Sequence, residues 1–307
     1  MDVSTMETTI AVIFVSVCLL ITLLYKCFSG LKKGGHHYPN PDNITRPNSL
    51  LRLFGVRHVN AIVDQFKTLD QVTDAVQKAG LESCNLIFGI DFTYSNLSQG
   101  ERTFSGRSLH AIELHTMNPY QQVIKILGET LAPFDEDDVI PAFGFGDIST
   151  KDKSVFSFKV EGYCHGFEEV LACYEVIASR VVLSGPTNFA PLIHQAIDIV
   201  KYTKQYHILV IVADGQVTSE RATREAIVEA SRWPLSIILV GVGDGPWDMM
   251  QEFDDGLPAR KFDNFQFVDF NRVLTFGTVL ETTFALHALM EIPDQFKAIR
   301  RLGLLDF

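Results

Sequence analysis

The chain has 307 residues, 47% hydrophobic and 21% charged, enough for one or two domains with a full core. A formal net charge of −11 excludes a general nucleic-acid binder, which needs clustered Lys and Arg to neutralise phosphate. The five cysteines (Cys18, Cys27, Cys84, Cys164 and Cys173) are odd in number and form no C-x-x-C pair, which excludes a disulfide framework and a zinc site read from spacing.

Residues 1–28 make the first segment. Thr8 to Tyr25 is uncharged and almost wholly apolar, at the short end of the roughly 17–25 residues a spanning helix needs. Snorkelling of Lys26 and inclusion of Phe28 extend it. A cleaved signal peptide is the competing reading. Against it, the n-region carries Asp2 and Glu7 with no Lys or Arg, and Tyr25-Lys26-Cys27-Phe28 is a poor cleavage site. The expectation is one N-terminal transmembrane helix. Lys26, Lys32, Lys33, Arg46 and Arg52 all follow it, so the positive-inside bias predicts a single-pass membrane protein with its large domain cytosolic. On that placement the sequons at Asn43 and Asn96 carry no glycan. Cys27 reads as an inert thiol, with palmitoylation as the sharper alternative.

Residues 29–57 read as a juxtamembrane linker, because Gly30, Gly34, Gly35, Pro39, Pro41 and Pro47 interrupt any periodic element. From residue 58 to 296 strands and helices alternate. Val59 to Lys78 has helical spacing closed by Gly80. Asn85 to Asp91 is an apolar strand. Asn118-Pro119 opens a helix to Leu131, with Pro119 suited to its first turn. Val139 to Phe143 and Val155 to Phe158 read as strands, Phe167 to Val182 and Phe189 to Thr203 as helices. Tyr206 to Asp214 and Leu235 to Val242 are buried strands. Ser219 to Ser231 and Trp247 to Phe253 are helices. Phe265 to Val268 is the last strand, with a helix to Met290. Residues 297–307, basic then apolar, read as a disordered tail, with a docking peptide as the sharper alternative. The alternation predicts an α/β fold, a doubly wound and mostly parallel sheet flanked by helices.

Asp91-Phe92-Thr93-Tyr94-Ser95 places a carboxylate and two hydroxyls at i, i+2 and i+4 where a buried strand ends. In such sheets ligands bind outside the carboxyl ends of the strands. Ser184-Gly185-Pro186-Thr187 and the strand end Ala213-Asp214-Gly215 supply further oxygens. The set suits a hard divalent cation. Strand-end capping by Asp, Thr and Ser is the plainer reading of the first motif taken alone.

These residues carry a resemblance. Asp-x-Thr-x-Ser, a Gly-Pro-Thr loop and a strand ending in Asp-Gly resemble the metal-ion-dependent adhesion site of von Willebrand factor A domains. Phe143-Gly144-Phe145-Gly146-Asp147, Gly185 to Pro191, Val240 to Gly245, Phe262 to Val268 and Ala288 to Pro293 narrow the likeness to the copine A domain. Its nearest form is the copine-like domain of plant-type RING ubiquitin ligases. The resemblance implies metal binding at Asp91, Thr93, Ser95, Thr187 and Asp214, with Mg²⁺ or else Mn²⁺ or Ca²⁺ as the ion. It also implies a protein partner that offers an acidic side chain. The linker is too short for the C2 domains of copines, and the chain lacks the roughly eight paired Cys and His ligands of a RING.

Enzymatic motifs are missing. Thr93 stands where an Asp-x-Asp phosphatase needs its second acid. No G-x-x-x-x-G-K-[ST], no G-x-G-x-x-G after a first strand and no G-x-S-x-G elbow occurs. His110 and His115, five apart, do not stack on one helix face. Asp135 to Asp138 reads as a solvated loop. Phe276 to Leu280 is apolar for a turn, marking either burial or a partner surface. The sequence therefore reads as a membrane-anchored interaction module without catalytic residues and with no signal for an oligomeric state. The alternative is an adaptor in a ubiquitin-ligase system.

Overall fold

A computed structural model of the protein describes residues 48–215, 217–257 and 260–305, which belong to one compact unit. Its centre is a six-stranded sheet in the order β4-β3-β1-β6-β7-β8. The strands are β1 (Asn85–Asp91), β3 (Ala142–Phe145), β4 (Phe156–Ser157), β6 (His207–Ala213), β7 (Leu235–Gly241) and β8 (Phe265–Asp269). β3, β1, β6, β7 and β8 are parallel, and β4 closes one edge antiparallel to β3. Two short strands, β2 (Val139–Ile140) and β5 (Cys164–His165), pair apart from it.

Every residue of β1, β6 and β7 is buried, so these strands read as continuous apolar runs and not as alternations. Alternate side chains feed two cores. Leu86, Phe88, Ile90, Ile208, Val210 and Val212 face one layer, Ile87, Leu209 and Ile211 the other. The helices, in chain order, are α1 (Ser49–Leu53), α2 (Leu69–Ala79), α3 (Pro119–Leu131), α4 (Gly166–Ala178), α5 (Ala190–Thr203), α6 (Glu220–Ala230), α7 (Asp248–Gly256), α8 (Phe270–Val273), α9 (Leu280–Leu289) and α10 (Ile292–Arg301). α2, α3, α4, α9 and α10 supply the first layer, α5, α6 and α7 the second. The α/β architecture with a mostly parallel sheet flanked by helices is thus the one expected.

Several expectations are corrected. The apolar run within residues 8–28 lies outside the described residues, and among those no helix is long and apolar enough to cross a membrane. The single-pass membrane placement, with its transmembrane helix, is withdrawn on that finding. The stretch read as linker holds α1, whose Leu50 and Leu51 are buried and whose N-cap is Asn48. Asp294 of α10 accepts from the Ser49 amide at 2.6 Å, which fastens α1 to the body. The helix expected from Val59 begins only at Leu69. The Thr68 side chain caps α2 there, and two 3-10 turns precede it.

Pro141 has no N–H to give a ladder, so it divides the expected 139–143 strand into β2 and β3. The tail is not free. α10 runs to Arg301 with Ile299 buried, and Leu304 and Leu305 pack partly against the core. The apolar turn before α9 leaves Phe276 stacked on His287 with ring centroids 5.5 Å apart, while Thr278 bonds Asp64 at 2.9 Å.

Candidate metal site

β1 has β3 on one side and β6 on the other, so the connections leaving their carboxyl ends diverge and open a crevice. Asp91 is the last residue of β1, and Asp214 follows the last residue of β6. α4 ends at Ala178, short of the expected Val182, which frees an extended segment to lie beside the β1 loop. There Thr93 bridges Ser184, the Tyr94 amide donates to the Ser184 carbonyl at 2.7 Å, and the Ser184 amide donates to the Gly146 carbonyl at 3.1 Å. Thr187 follows, and its carbonyl accepts from the Thr218 amide at 3.0 Å and hydroxyl at 2.7 Å. The fold thereby brings Asp91, Thr93, Ser95 and Asp214 together, with Thr187 on the adjoining loop.

Asp91, Thr93, Thr187 and Asp214 are buried, while Ser95 is half-buried. Asp91 Oδ1 accepts the Thr93 amide at 2.8 Å, and the Thr93 and Ser95 hydroxyls lie 3.1 Å apart. Asp91 Oδ2 and Asp214 Oδ2 are buried and have no hydrogen-bond partner. Burial, then the neighbouring Asp214, pushes the Asp91 carboxyl well above its usual range. Burial pushes Asp214 up to about 6, against hydrogen bonds including one from Ser95 that favour its charged form. Two buried carboxylates with a free oxygen each and mutual repulsion are costly unless something positive satisfies both.

The donor set fits a hard divalent cation, because it offers carboxylate and hydroxyl oxygens and no sulfur. Among the described residues no group of three or more His, Cys, Asp or Glu side chains is placed to hold a metal ion by itself. The hydroxyls of Thr93, Ser95 and Thr187 are therefore needed to complete any coordination shell here.

A buried layer of polar groups supports the loop from below. The Asp91 carbonyl can only accept, so His110 Nε2, 2.8 Å away, carries the proton. His110 Nδ1 then accepts from the Tyr174 hydroxyl at 2.8 Å, and Asn118 Nδ2 donates to that hydroxyl at 3.0 Å. Burial drives the His110 imidazole down to about 3, so it stays neutral. Tyr120 donates to Asn96 Oδ1 at 2.6 Å, and Asn96 Nδ2 donates to the Thr93 carbonyl at 3.1 Å. Asn96 is fully buried, in keeping with the reading of its sequon as chance.

From above, Asp244 accepts the Arg102 and Thr103 amides, each at 2.9 Å, and the Thr103 hydroxyl at 2.7 Å, strapping the 98–107 loop to the end of β7. Gly146, at φ +81°, lies where a Cβ would stand 2.4 Å from Thr93 Cγ2. At Gly243 a Cβ would stand 2.2 Å from the Asp214 carbonyl oxygen. Sequence reasoning missed these supports. His110 shows no ligand spacing, and its role comes from a contact 19 residues back along the chain.

A family model described as copine matches residues 108–306. Copine family protein 2 of Caenorhabditis elegans is 56% identical over 264 residues, covering 85% of this chain and 3% of that protein. Copine family protein 1 of the same species is 54% identical over 268 residues, covering 86% of this chain and 24% of that protein. E3 ubiquitin-protein ligase RGLG2 of Arabidopsis thaliana is 54% identical over 266 residues, covering 81% of this chain and 57% of that protein. The chain thus spans little more than half of these relatives at most. Among solved structures, a von Willebrand factor type A protein from Catenulispora acidiphila aligns at 15% identity with a TM-score of 0.42, over 71% of this chain and 43% of that one. Manganese-loaded TRAP protein of Plasmodium vivax aligns at 12% identity with a TM-score of 0.43, over 64% of this chain and 72% of that one. These two likenesses are distant. The family model spans more than half of the chain, and the sequence relatives are more than half identical to it: the chain belongs to the copine family.

Proposed function

We propose that the domain is a metal-dependent protein-interaction module. The carrying observation is the pair of buried, unpartnered oxygens on Asp91 and Asp214 at the mouth of a strand-end crevice. In this reading Asp91 and Asp214 supply negative charge, while Thr93, Ser95 and Thr187 supply neutral oxygens. Mg²⁺ suits this small oxygen set, and Mn²⁺ substitutes well. Ca²⁺ substitutes imperfectly, because it demands longer bonds and more ligands. A bound ion offers one coordination position to a carboxylate of the partner protein. With only two acids behind it, that position keeps its pull on a third. Calorimetric titration with Mg²⁺ is the test. Wild type should show a saturable heat that Asp91→Ala abolishes, whereas equal affinity in the two proteins refutes the assignment.

A second reading, an adaptor in a ubiquitin-ligase system, rests on the names of relatives such as E3 ubiquitin-protein ligase RGLG2. Supplying the chain to a reconstituted ubiquitination reaction tests it. Substrate modification that depends on the chain supports an adaptor role, and no change counts against it.

A further inference from the structure

Three large apolar side chains stand exposed on the segments that frame the crevice: Tyr94 is 66% exposed, Ile148 58% and Val182 56%. Tyr94 lies between Thr93 and Ser95, so its ring sits within a residue of two proposed hydroxyl ligands. Val182 lies two residues before Ser184, which bridges Thr93. Asp147 bridges Leu183 antiparallel, and the Ile148 amide donates to the Val182 carbonyl at 3.0 Å. That pairing makes Ile148 and Val182 cross-strand neighbours on the segment beside the site.

The local charge is opposite to that of the whole. In a chain of net charge −11, this rim carries the exposed cations Lys151, Lys153 and Arg180. Its two acids are Asp147, held ionised by the Ser149 and Thr150 amides, and the half-buried Asp152, so cations exceed acids here by one. An occupant must therefore match an apolar shelf whose flanking residues carry a small excess of positive charge, next to the proposed carboxylate-binding site.

We propose that this rim is a docking surface for an acidic–apolar protein segment: an Asp or Glu directed at the metal residues, with a large apolar side chain within about three residues of it seated on Tyr94, Ile148 and Val182. The inference rests on the metal-dependent reading above and deepens it by naming the partner's chemistry. Cations around the shelf favour further acids flanking the segment. Burying the partner's apolar side chain supplies affinity that a lone carboxylate does not.

The test uses the full chain and three synthetic nine-residue peptides. One has a central Glu with Leu at ±2 and ±3, one has Ser in place of Leu, and one keeps Leu but has Gln in place of Glu. Affinities are read by fluorescence polarisation in Mg²⁺, alongside calorimetry of Mg²⁺ itself. The Glu–Leu peptide should bind about tenfold or more tighter than either of the others. The double variant Ile148→Ser, Val182→Ser should erase the Leu preference while leaving Mg²⁺ affinity unchanged. Tyr94→Ser should reduce the preference by itself, which covers the case in which the double variant does not fold. If Mg²⁺ produces no heat, the metal reading fails first and carries this inference with it. If Mg²⁺ binds and the Glu–Leu peptide does not, or binds no better than Glu–Ser, the docking surface alone is refuted. An undiminished Leu preference in both variants also overturns it.

Discussion

Replacing Asp91 with Asn removes a buried carboxyl that stands against a second one and whose outer oxygen has no hydrogen-bond partner. Without divalent cation, that change should stabilise the fold, because it relieves desolvation and repulsion together. A gain of about 1 kcal/mol corresponds to a Tm rise of about 2–4 °C for a domain of this size. Melting in EDTA should show the rise for Asp91→Asn. If the proposed site holds Mg²⁺, saturating Mg²⁺ should reverse the order, because the ion then stabilises wild type more than Asp91→Asn.

His110 offers a second test at this scale. His110→Phe preserves a ring between Phe92 and Tyr120, whose centroids lie 4.7 and 4.2 Å from the imidazole. It removes the imidazole donor to the Asp91 carbonyl and the imidazole acceptor of the Tyr174 hydroxyl, which keeps only Asn118, and should cost about 1–3 kcal/mol in denaturant unfolding. Mg²⁺ affinity should fall as well. Loss of stability with unchanged affinity would make the residue a core group only. The strand ends that carry Asp91 and Asp214 were legible because apolar runs are local signals, whereas the proposed ligand set came from the family resemblance. His110, Asn96 and Asp244 were not legible, because each acts through a partner that only the folded chain brings near.

Among the elements, strands and long helices were read from sequence nearly as they stand, since continuous apolar runs and capped amphipathic periods are short-range signals. Two errors are local, the Pro141 break and the Thr68 cap, and others lie where a tertiary contact decides. α1 has five residues, too few to declare a period, and it is a helix because Leu50 and Leu51 find the core and Asp294 holds its first turn. Leu50→Ala should therefore cost about 2–5 kcal/mol, as for any fully buried leucine. Chemical denaturation measures it, and a cost below 0.5 kcal/mol, the range of surface substitutions, would return α1 to the status of a linker. The Asp244 strap is likewise invisible in sequence, joining residues more than 140 apart. Asp244→Ala should loosen the 98–107 loop, seen as faster amide exchange at Arg102 and Thr103 with the β1 and β6 amides unchanged.

For the whole molecule, pH enters through histidines that the fold keeps uncharged. Burial lowers His207 and His287 below their ordinary value, despite backbone carbonyls that oppose it. The unfolded chain then takes up protons near pH 6.5, and the native state only at lower pH. Their contribution is complete above that pH and is lost as pH falls below it, by up to about 1.4 kcal/mol per pH unit and per group. His287→Gln should thus lose less stability than wild type between pH 7 and pH 5, measured as the difference in Tm between the two proteins. A constant difference across that range would mean that His287 titrates alike in both states.

The position of α1 and α10 has one more consequence. Lys297 of α10 donates to the Ala79 carbonyl and to Ser49, and Arg300 pairs with Glu82 just ahead of β1. Both ends of the described chain therefore gather at the edge of the sheet where β1 begins, while Asp91 and Asp214 sit at the edge where β1 and β6 finish. A dye, an affinity tag or a sensor surface coupled at either end is handled from the far pole. A label at residue 48 or 305, the ends of the described chain, should leave the crevice open to ion and peptide alike.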